Sequence, residues 1–272
     1  TLTNISGIET ITVVDATDKT ATITMGAVDT QIADGATLTV DASGMDQSAT
    51  TLTFTGSASE TDGFLNITGG TGADTITGAA NNDTISGGLA ADSITGGLGA
   101  DSITGGGGGD VIVYSAVAQS NSSNTDTITD FTTTEDDLKV TLDYSTLAQS
   151  QTVNATLVTA AAGITAVQNS LSGERGQYIY DTTNSKLYVN VNNDNLITTL
   201  DYQISMPSAT IADGDLNFAI NASTAGDTIT SGGGADTITG GAGADSVTAG
   251  DGNDTVTGAA GADTLKGGAG ND

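Results

Sequence analysis

Asp74, Asp83, Asp92, Asp101 and Asp110 fall nine residues apart, and so do Asp227, Asp236, Asp245, Asp254, Asp263 and Asp272. A carboxylate repeated in fixed phase can do acid–base work or hold a cation. The rest of the composition decides between them. The chain has no His and no Cys, which excludes zinc fingers, zincins, haem sites and Ser-His-Asp chemistry. Ligands that are all oxygen select a hard ion, Ca²⁺ ahead of the more demanding Mg²⁺. Of the 33 acidic residues four are Glu (Glu9, Glu60, Glu135 and Glu174), which leaves 29 Asp. An acidic chain built only for solubility would use both, whereas Asp favours turns, caps and hard-cation sites.

The elements that must place these carboxylates follow from the same period. The repeats read GGTGADTIT (69–77), GAANNDTIS (78–86), GGLAADSIT (87–95), GGLGADSIT (96–104) and GGGGGDVIV (105–113). A second block runs ASTAGDTIT (222–230), SGGGADTIT, GGAGADSVT, AGDGNDTVT, GAAGADTLK and GGAGND. Six Gly-rich residues suit a tight turn. Three residues reading polar-apolar-polar make a short strand. The apolar position holds Ile76, Ile85, Ile94, Ile103, Ile112, Ile229, Ile238, Val247, Val256 and Leu265, mostly β-branched as a strand prefers. Turn plus strand is half a coil, so eighteen residues complete one. Stacked coils then set Asp(i) over Asp(i+18). Two carboxylates about 4 Å apart at an effective dielectric near 20 repel by about 4 kcal/mol, so such a column needs cations between its members. A flexible Gly/Asp linker would not keep Asp, Ile and Gly in phase.

These repeats resemble the RTX nonapeptide G-G-x-G-x-D-x-U-x, a Ca²⁺-binding repeat, over about a third of the chain. The resemblance implies an all-β fold of parallel β-roll blocks alternating with strand-rich solenoid or sandwich-like modules. It also implies export by a bacterial type I system. In that family each ion takes carbonyls of positions two and four of one turn, carbonyls of positions one and three of the turn eighteen residues on, and both Asp side chains. Carried over, the first site uses Gly70, Gly72, Asp74, Gly87, Leu89 and Asp92. The second uses Ala79, Asn81, Asp83, Gly96, Leu98 and Asp101, and the third Gly88, Ala90, Asp92, Gly105, Gly107 and Asp110. In the second block Ser223, Ala225 and Asp227 face Gly240, Ala242 and Asp245. Gly232, Gly234 and Asp236 face Ala249, Asp251 and Asp254. Gly241, Gly243 and Asp245 face Gly258, Ala260 and Asp263. Gly250, Gly252 and Asp254 face Gly267, Ala269 and Asp272. Three pairs plus four pairs imply about seven Ca²⁺. Asn81 at position four tolerates left-handed backbone, Ala90 there is a poorer fit, and the 222–227 turn lacks the double glycine.

Four parts follow: a strand-rich module at 1–68, a first roll at 69–113, a roll-capping segment with a sandwich-like module at 114–221, and a second roll at 222–272. TDTITDFTTTEDDLKVTLD (125–143) resembles the segment that closes RTX rolls in secreted metalloproteases. Asp126-Thr-Ile128-Thr continues the pattern after a longer turn, and Asp130-Phe131 caps it. Asp126 and Asp136 are candidates for a terminal Ca²⁺, with a solvated acidic loop as the alternative. GQYIYDTTNSKLYVNVNND (176–194) reads as a hairpin. Asn190, Asn192 and Asp194 mimic the first half of an EF-hand loop, but no Glu follows at its twelfth position, so an ordinary turn is favoured. Residues 153–170 are the one helical candidate. The six tyrosines read as core. Thr-rich strands before the first block look like those of bacterial S-layer proteins and giant adhesins.

A net charge of −28 opposes nucleic acid and anionic membranes. No apolar run is long enough for a bilayer span, and residues 1–20 carry no signal-peptide pattern. Starting without Met and stopping inside a nonapeptide, the chain reads as an excerpt of a longer one. The expected role is structural and not enzymatic: a Ca²⁺-hardened module of a secreted bacterial surface protein, self-associating in an S-layer-like array. A giant adhesin, or the type I export module of a toxin or hydrolase, is the alternative.

Overall fold

The computed structural model describes residues 8–14, 20–26, 32–47, 49–149, 151–157, 174–192, 197–198, 200–207 and 211–272. Two compact units divide the chain: Thr1–Val113 with Ala118–Asp136 and Ile204–Ala209, and Tyr114–Val117 with Asp137–Gln203 and Thr210–Asp272. Apart from two 3₁₀ turns, every regular element among the described residues is a strand. No helix among them is long and apolar enough to cross a membrane.

In the first unit successive strands are dealt alternately to two parallel sheets. One carries Thr10–Val14, Thr37–Gly44, Phe64–Thr68, Thr84–Leu89, Ser102–Gly107 and Asp126–Ile128 in that order. The other carries Ala21–Thr24, Leu52–Thr55, Thr75–Thr77, Ser93–Thr95 and Val111–Tyr114. Alternate dealing of short parallel strands is a coil. Within the nonapeptides its advance is the eighteen residues read from the period: Ile76 pairs with Ile94, and Ile85 with Ile103. The apolar positions turn inward, and Leu38, Val40, Ile67, Ile85, Ile103, Leu52, Phe54, Ile76, Ile94 and Ile112 are all buried. Strands outside the repeats share these sheets, because Ile67 pairs with Ile85 and Phe54 with Ile76.

The second unit uses the same plan. Asp137–Asp143, Leu216–Asn221, Thr237–Thr239 and Thr255–Thr257 form one parallel series. Thr152–Ala155, Thr228–Ser231, Ser246–Asp251 and Thr264–Ala269 form the other. Tyr178–Asp181 and Lys186–Val189 make the expected antiparallel hairpin. Its turn is held by Asp181, whose carboxylate accepts from the amides of Thr183 and Asn184. All six tyrosines are buried, and Tyr114 packs edge-on to Tyr202 at 6.1 Å. The helical candidate at 153–170 falls mostly outside the described residues; its start lies in the strand Thr152–Ala155. Asp194 of the EF-hand-like stretch also falls outside them.

Glycine at positions two and four has a specific cause. Turns that stack on an earlier nonapeptide turn adopt positive φ there, as at Gly97 (114°) and Gly99 (116°). A Cβ on Gly97 would lie 2.0 Å from the Ala79 carbonyl oxygen, so the coils approach too closely for a side chain. Ala90 (φ 70°) and Ala259 (φ 69°) accept the same conformation without glycine. Asn81 does not: it lies outside the positive-φ set, whereas Gly234, at the same position of the other block's first turn on its edge, lies inside it (φ 94°). Gly97→Ala is therefore expected to cost about 2 kcal/mol or more through strain and clash. Ala90→Gly should gain about 0.5–1 kcal/mol by relieving left-handed strain. Denaturant midpoints in millimolar Ca²⁺ check both signs.

Candidate metal centre

The carboxylates stand in columns, each joined to the next by the same bond. The amide of one Asp donates to Oδ1 of the Asp one coil on. In the first unit Asp74, Asp92, Asp110 and Asp136 are linked at 2.7, 2.8 and 2.9 Å. Asp83, Asp101 and Asp126 are linked at 2.8 and 2.9 Å. In the second unit Asp227, Asp245 and Asp263 are linked at 2.7 and 3.1 Å, and Asp236, Asp254 and Asp272 at 2.9 and 3.2 Å. Asp126 and Asp136 are thus in-register members of the columns. Both are buried, so neither is a solvated loop carboxylate. Their offsets of 25 and 26 residues hide them from an eighteen-residue search. Asp130 caps the last turn, its two oxygens accepting from the amides of Gly105 and Gly106, each at 2.9 Å, and Phe131 is buried beside it.

Each column begins on an amide from a residue that is not Asp: Leu52 for Asp74, Leu65 for Asp83, Gln151 for Asp227 and Phe218 for Asp236. Sequence reasoning misses these residues because they act through the main chain. Leu65 and Phe218 nevertheless lie eighteen residues before their partners, and extending the nine-residue frame backward would find them.

The second carboxylate oxygen carries the metal argument. In the first turn of three columns the position-two amide donates to it: Gly70 to Asp74, Ala79 to Asp83 and Ser223 to Asp227, each at 2.7 Å; in the fourth the Ser231 hydroxyl donates to Asp236 Oδ2. The Thr132 amide serves Asp136 likewise. Ser223 adds its hydroxyl to Asp227 Oδ1 at 2.9 Å, which supplies what the missing double glycine would not. Where position two is left-handed, the amide no longer makes this bond. Oδ2 of Asp92, Asp101, Asp110, Asp245 and Asp254 is then buried and accepts no hydrogen bond. Five buried, unpartnered, anionic oxygens in register are costly unless a cation meets them. Position one brings backbone close to the same atoms: a Cβ on Gly87 would lie 2.3 Å from Asp92 Oδ2, and one on Gly96 2.4 Å from Asp101 Oδ2.

Among the described residues no three acidic side chains converge, so an ion here must complete its shell with carbonyls. Position-two carbonyls of Gly70, Ala79, Ser223, Gly232 and Gly241 accept the amides of Leu89, Leu98, Ala242, Asp251 and Ala260 from the next coil. Position-three carbonyls of Ala260 and Ala269 accept from Gly243 and Gly252 one coil earlier. Each carbonyl keeps a second lone pair for a metal. The donor set, two carboxylates among turn carbonyls, fits Ca²⁺.

Without a cation, burial pushes the columns toward protonation. Asp83 rises from 3.8 to about 6. Asp92 reaches about 7, first by burial and then by the charges of Asp74 and Asp110. Asp101 reaches about 8, by burial and the charge of Asp126. Asp74, Asp110 and Asp245 move the same way, burial first. A folded-state pKa above the unfolded value means stability present at low pH and lost as pH rises through the folded value. In chelator the fold should therefore be strongest near pH 4 and fail as pH climbs through 6 to 8. With Ca²⁺ the trend reverses, since ions require deprotonated ligands. Thermal melts across pH, with and without chelator, check the opposite slopes.

Fold and site together define a calcium-binding parallel β-roll. Residues 33–218 match the peptidase M10 serralysin C-terminal family, and 221–256 and 248–272 match the RTX calcium-binding nonapeptide repeat. The chain belongs to the serralysin C-terminal family, with RTX repeats following the matched region. That family is the non-catalytic region of a protease, and RTX and serralysin-type proteins are secreted by type I systems. The chain is thus a calcium-binding module of a secreted protein, of the type I export kind. No curated protein matches it.

Proposed function

We propose that the chain is a calcium-triggered scaffold of an exported bacterial cell-surface protein, held together by Ca²⁺ in the Asp columns. The observation that carries this is the set of buried Oδ2 atoms on Asp92, Asp101, Asp110, Asp245 and Asp254 that accept no hydrogen bond. Seven pairs come from the eighteen-residue steps, and Asp101/Asp126 and Asp110/Asp136 bring the total to nine. The nonapeptide blocks at 69–113 and 222–272 are the calcium elements. The segments at 1–68 and 114–221 are the strand-rich modules they stiffen. Extracellular Ca²⁺ modules bind at about 10⁻⁴–10⁻³ M, so the chain stays unfolded in a Ca²⁺-poor cytoplasm, passes the type I machinery and folds outside.

The role of the folded module is a surface array. Two calcium blocks in one chain suit a long structural protein better than a single terminal signal. A second reading, the export module of a secreted hydrolase, draws support from the match at 33–218. Titrating Ca²⁺ beyond complete folding separates them. The array reading expects ordered growth in light scattering, as extra ions bridge acidic surfaces through Asp outside the columns such as the exposed Asp143; Asp215 is buried and does not serve. A chain that stays monomeric at millimolar Ca²⁺ would favour the export module.

A further inference from the structure

The Asp227 column starts unlike the other three. Leu52, Leu65 and Phe218 offer their columns an amide and an apolar side chain. Gln151 offers an amide and a polar arm. Its N–H donates to Asp227 Oδ1, and its carbonyl accepts from Thr228 at 2.9 Å. Its backbone thus fills the step that another Asp fills elsewhere in the columns. Its side-chain Oε1 accepts from Arg175 Nε at 2.7 Å.

Arg175 is the single arginine of a chain with 33 acidic residues. Its hydrogen bonds go to neutral oxygens, Gln151 Oε1 and, through Nη1 at 3.0 Å, the Val191 carbonyl. The guanidinium carbon lies 5.0 Å from the centroid of the Tyr144 ring. Its main chain is fixed as well, its carbonyl accepting from Asn154 at 2.7 Å. A planar guanidinium held at several points defines a direction, which an ammonium would not.

We infer that Arg175 is a positioning residue for the first calcium pair of the second block, Asp227 with Asp245. Arg175 fixes Gln151, and Gln151 fixes the Asp227 carboxylate at the start of the column. The inference rests on the calcium-ladder reading above. Residues that orient metal ligands change affinity by about 10–100-fold when replaced.

The test uses the full chain and Ca²⁺ alone. Binding isotherms are compared for the wild type, Arg175→Met, Gln151→Ala and the double variant. Each single variant should weaken one binding step about 10-fold or more and leave the Asp74–Asp136 steps unchanged. The double variant should be no weaker than the worse single one, because Arg175 acts through Gln151. Hydrogen exchange at the Gln151 amide should quicken in Arg175→Met, and the affinity loss should vanish in an Asp227→Asn background. Wild-type affinity in Arg175→Met, additive losses, or a loss that persists in Asp227→Asn would overturn the inference. If Arg175→Met does not fold, Gln151→Ala decides alone, since it keeps the backbone amide; an unchanged isotherm there overturns it. A wild-type chain that bound no Ca²⁺ would overturn the ladder reading itself, and this inference with it.

Discussion

In excess chelator at neutral pH the chain is expected to lose most of its strand circular dichroism and to regain it cooperatively as Ca²⁺ returns. The columns explain why. Each interior Asp has carboxylates above and below it, and several present a buried oxygen with no hydrogen bond. Burial and mutual charge already lift Asp92 to about 7 and Asp101 to about 8, so at pH 7.5 the fold must either protonate or repel itself. Divalent ions remove both costs, and binding energy becomes folding energy. Nine ions would add +18 to a net charge of −28 and leave −10. The hydrophobic core does not replace them, since each short coil contributes few apolar side chains, such as the single buried Ile76 of Thr75–Thr77. A spectrum unchanged in chelator would show that the packed sheets hold without metal.

The second large effect is a reversal of sign at Asp92. Asp92→Asn keeps the Oδ1 acceptor for the Asp74 amide, which lies 2.7 Å away. It removes one charge from the middle of a column. In chelator the variant should be more stable than the wild type, because desolvation and repulsion from Asp74 and Asp110 are relieved. In millimolar Ca²⁺ it should be less stable by about 3–5 kcal/mol, as for a buried ion pair that loses one partner. Two sites would share that carboxylate, so two ions should be weakened. Asp272→Asn, at an exposed position that ends its column, should weaken the one ion it shares with Asp254 and shift stability less than Asp92→Asn in either condition. Chemical denaturation in both media measures the crossover. A variant destabilised equally with and without Ca²⁺ would mean that Asp92 acts only as a hydrogen-bond acceptor.

Much of this architecture is legible in the sequence because one constraint repeats. Asp, Gly and Ile recur every nine residues, and a strand of three can bury only its middle residue, so period and burial coincide at Ile76, Ile85, Ile94 and Ile103. The hairpin at 176–194 is legible for a similar reason, alternation on either side of a turn-forming DTTNS. The rest is hidden by causes that can be named. The segment after Tyr114 stretches the step to 25 and 26 residues and disguises Asp126 and Asp136. Column caps work through main-chain amides, so Leu52, Leu65, Gln151 and Phe218 carry no type signature. Tolerance for left-handed φ does not dictate its use, and Asn81 keeps a backbone outside that region. The tie between Arg175 and Gln151 joins residues that no local pattern relates.

Everything above turns on whether stacked aspartate pairs hold Ca²⁺. The most direct measurement is anomalous diffraction from crystals grown in millimolar Ca²⁺, locating each ion by its own scattering. The account predicts an ion between each stacked pair: seven at the eighteen-residue steps, and two more at Asp101/Asp126 and Asp110/Asp136. Each should touch the Oδ2 atoms that otherwise accept no hydrogen bond. Fewer than four ions in the columns, or ions bound elsewhere with Asp92 Oδ2 and Asp101 Oδ2 still bare, would contradict it.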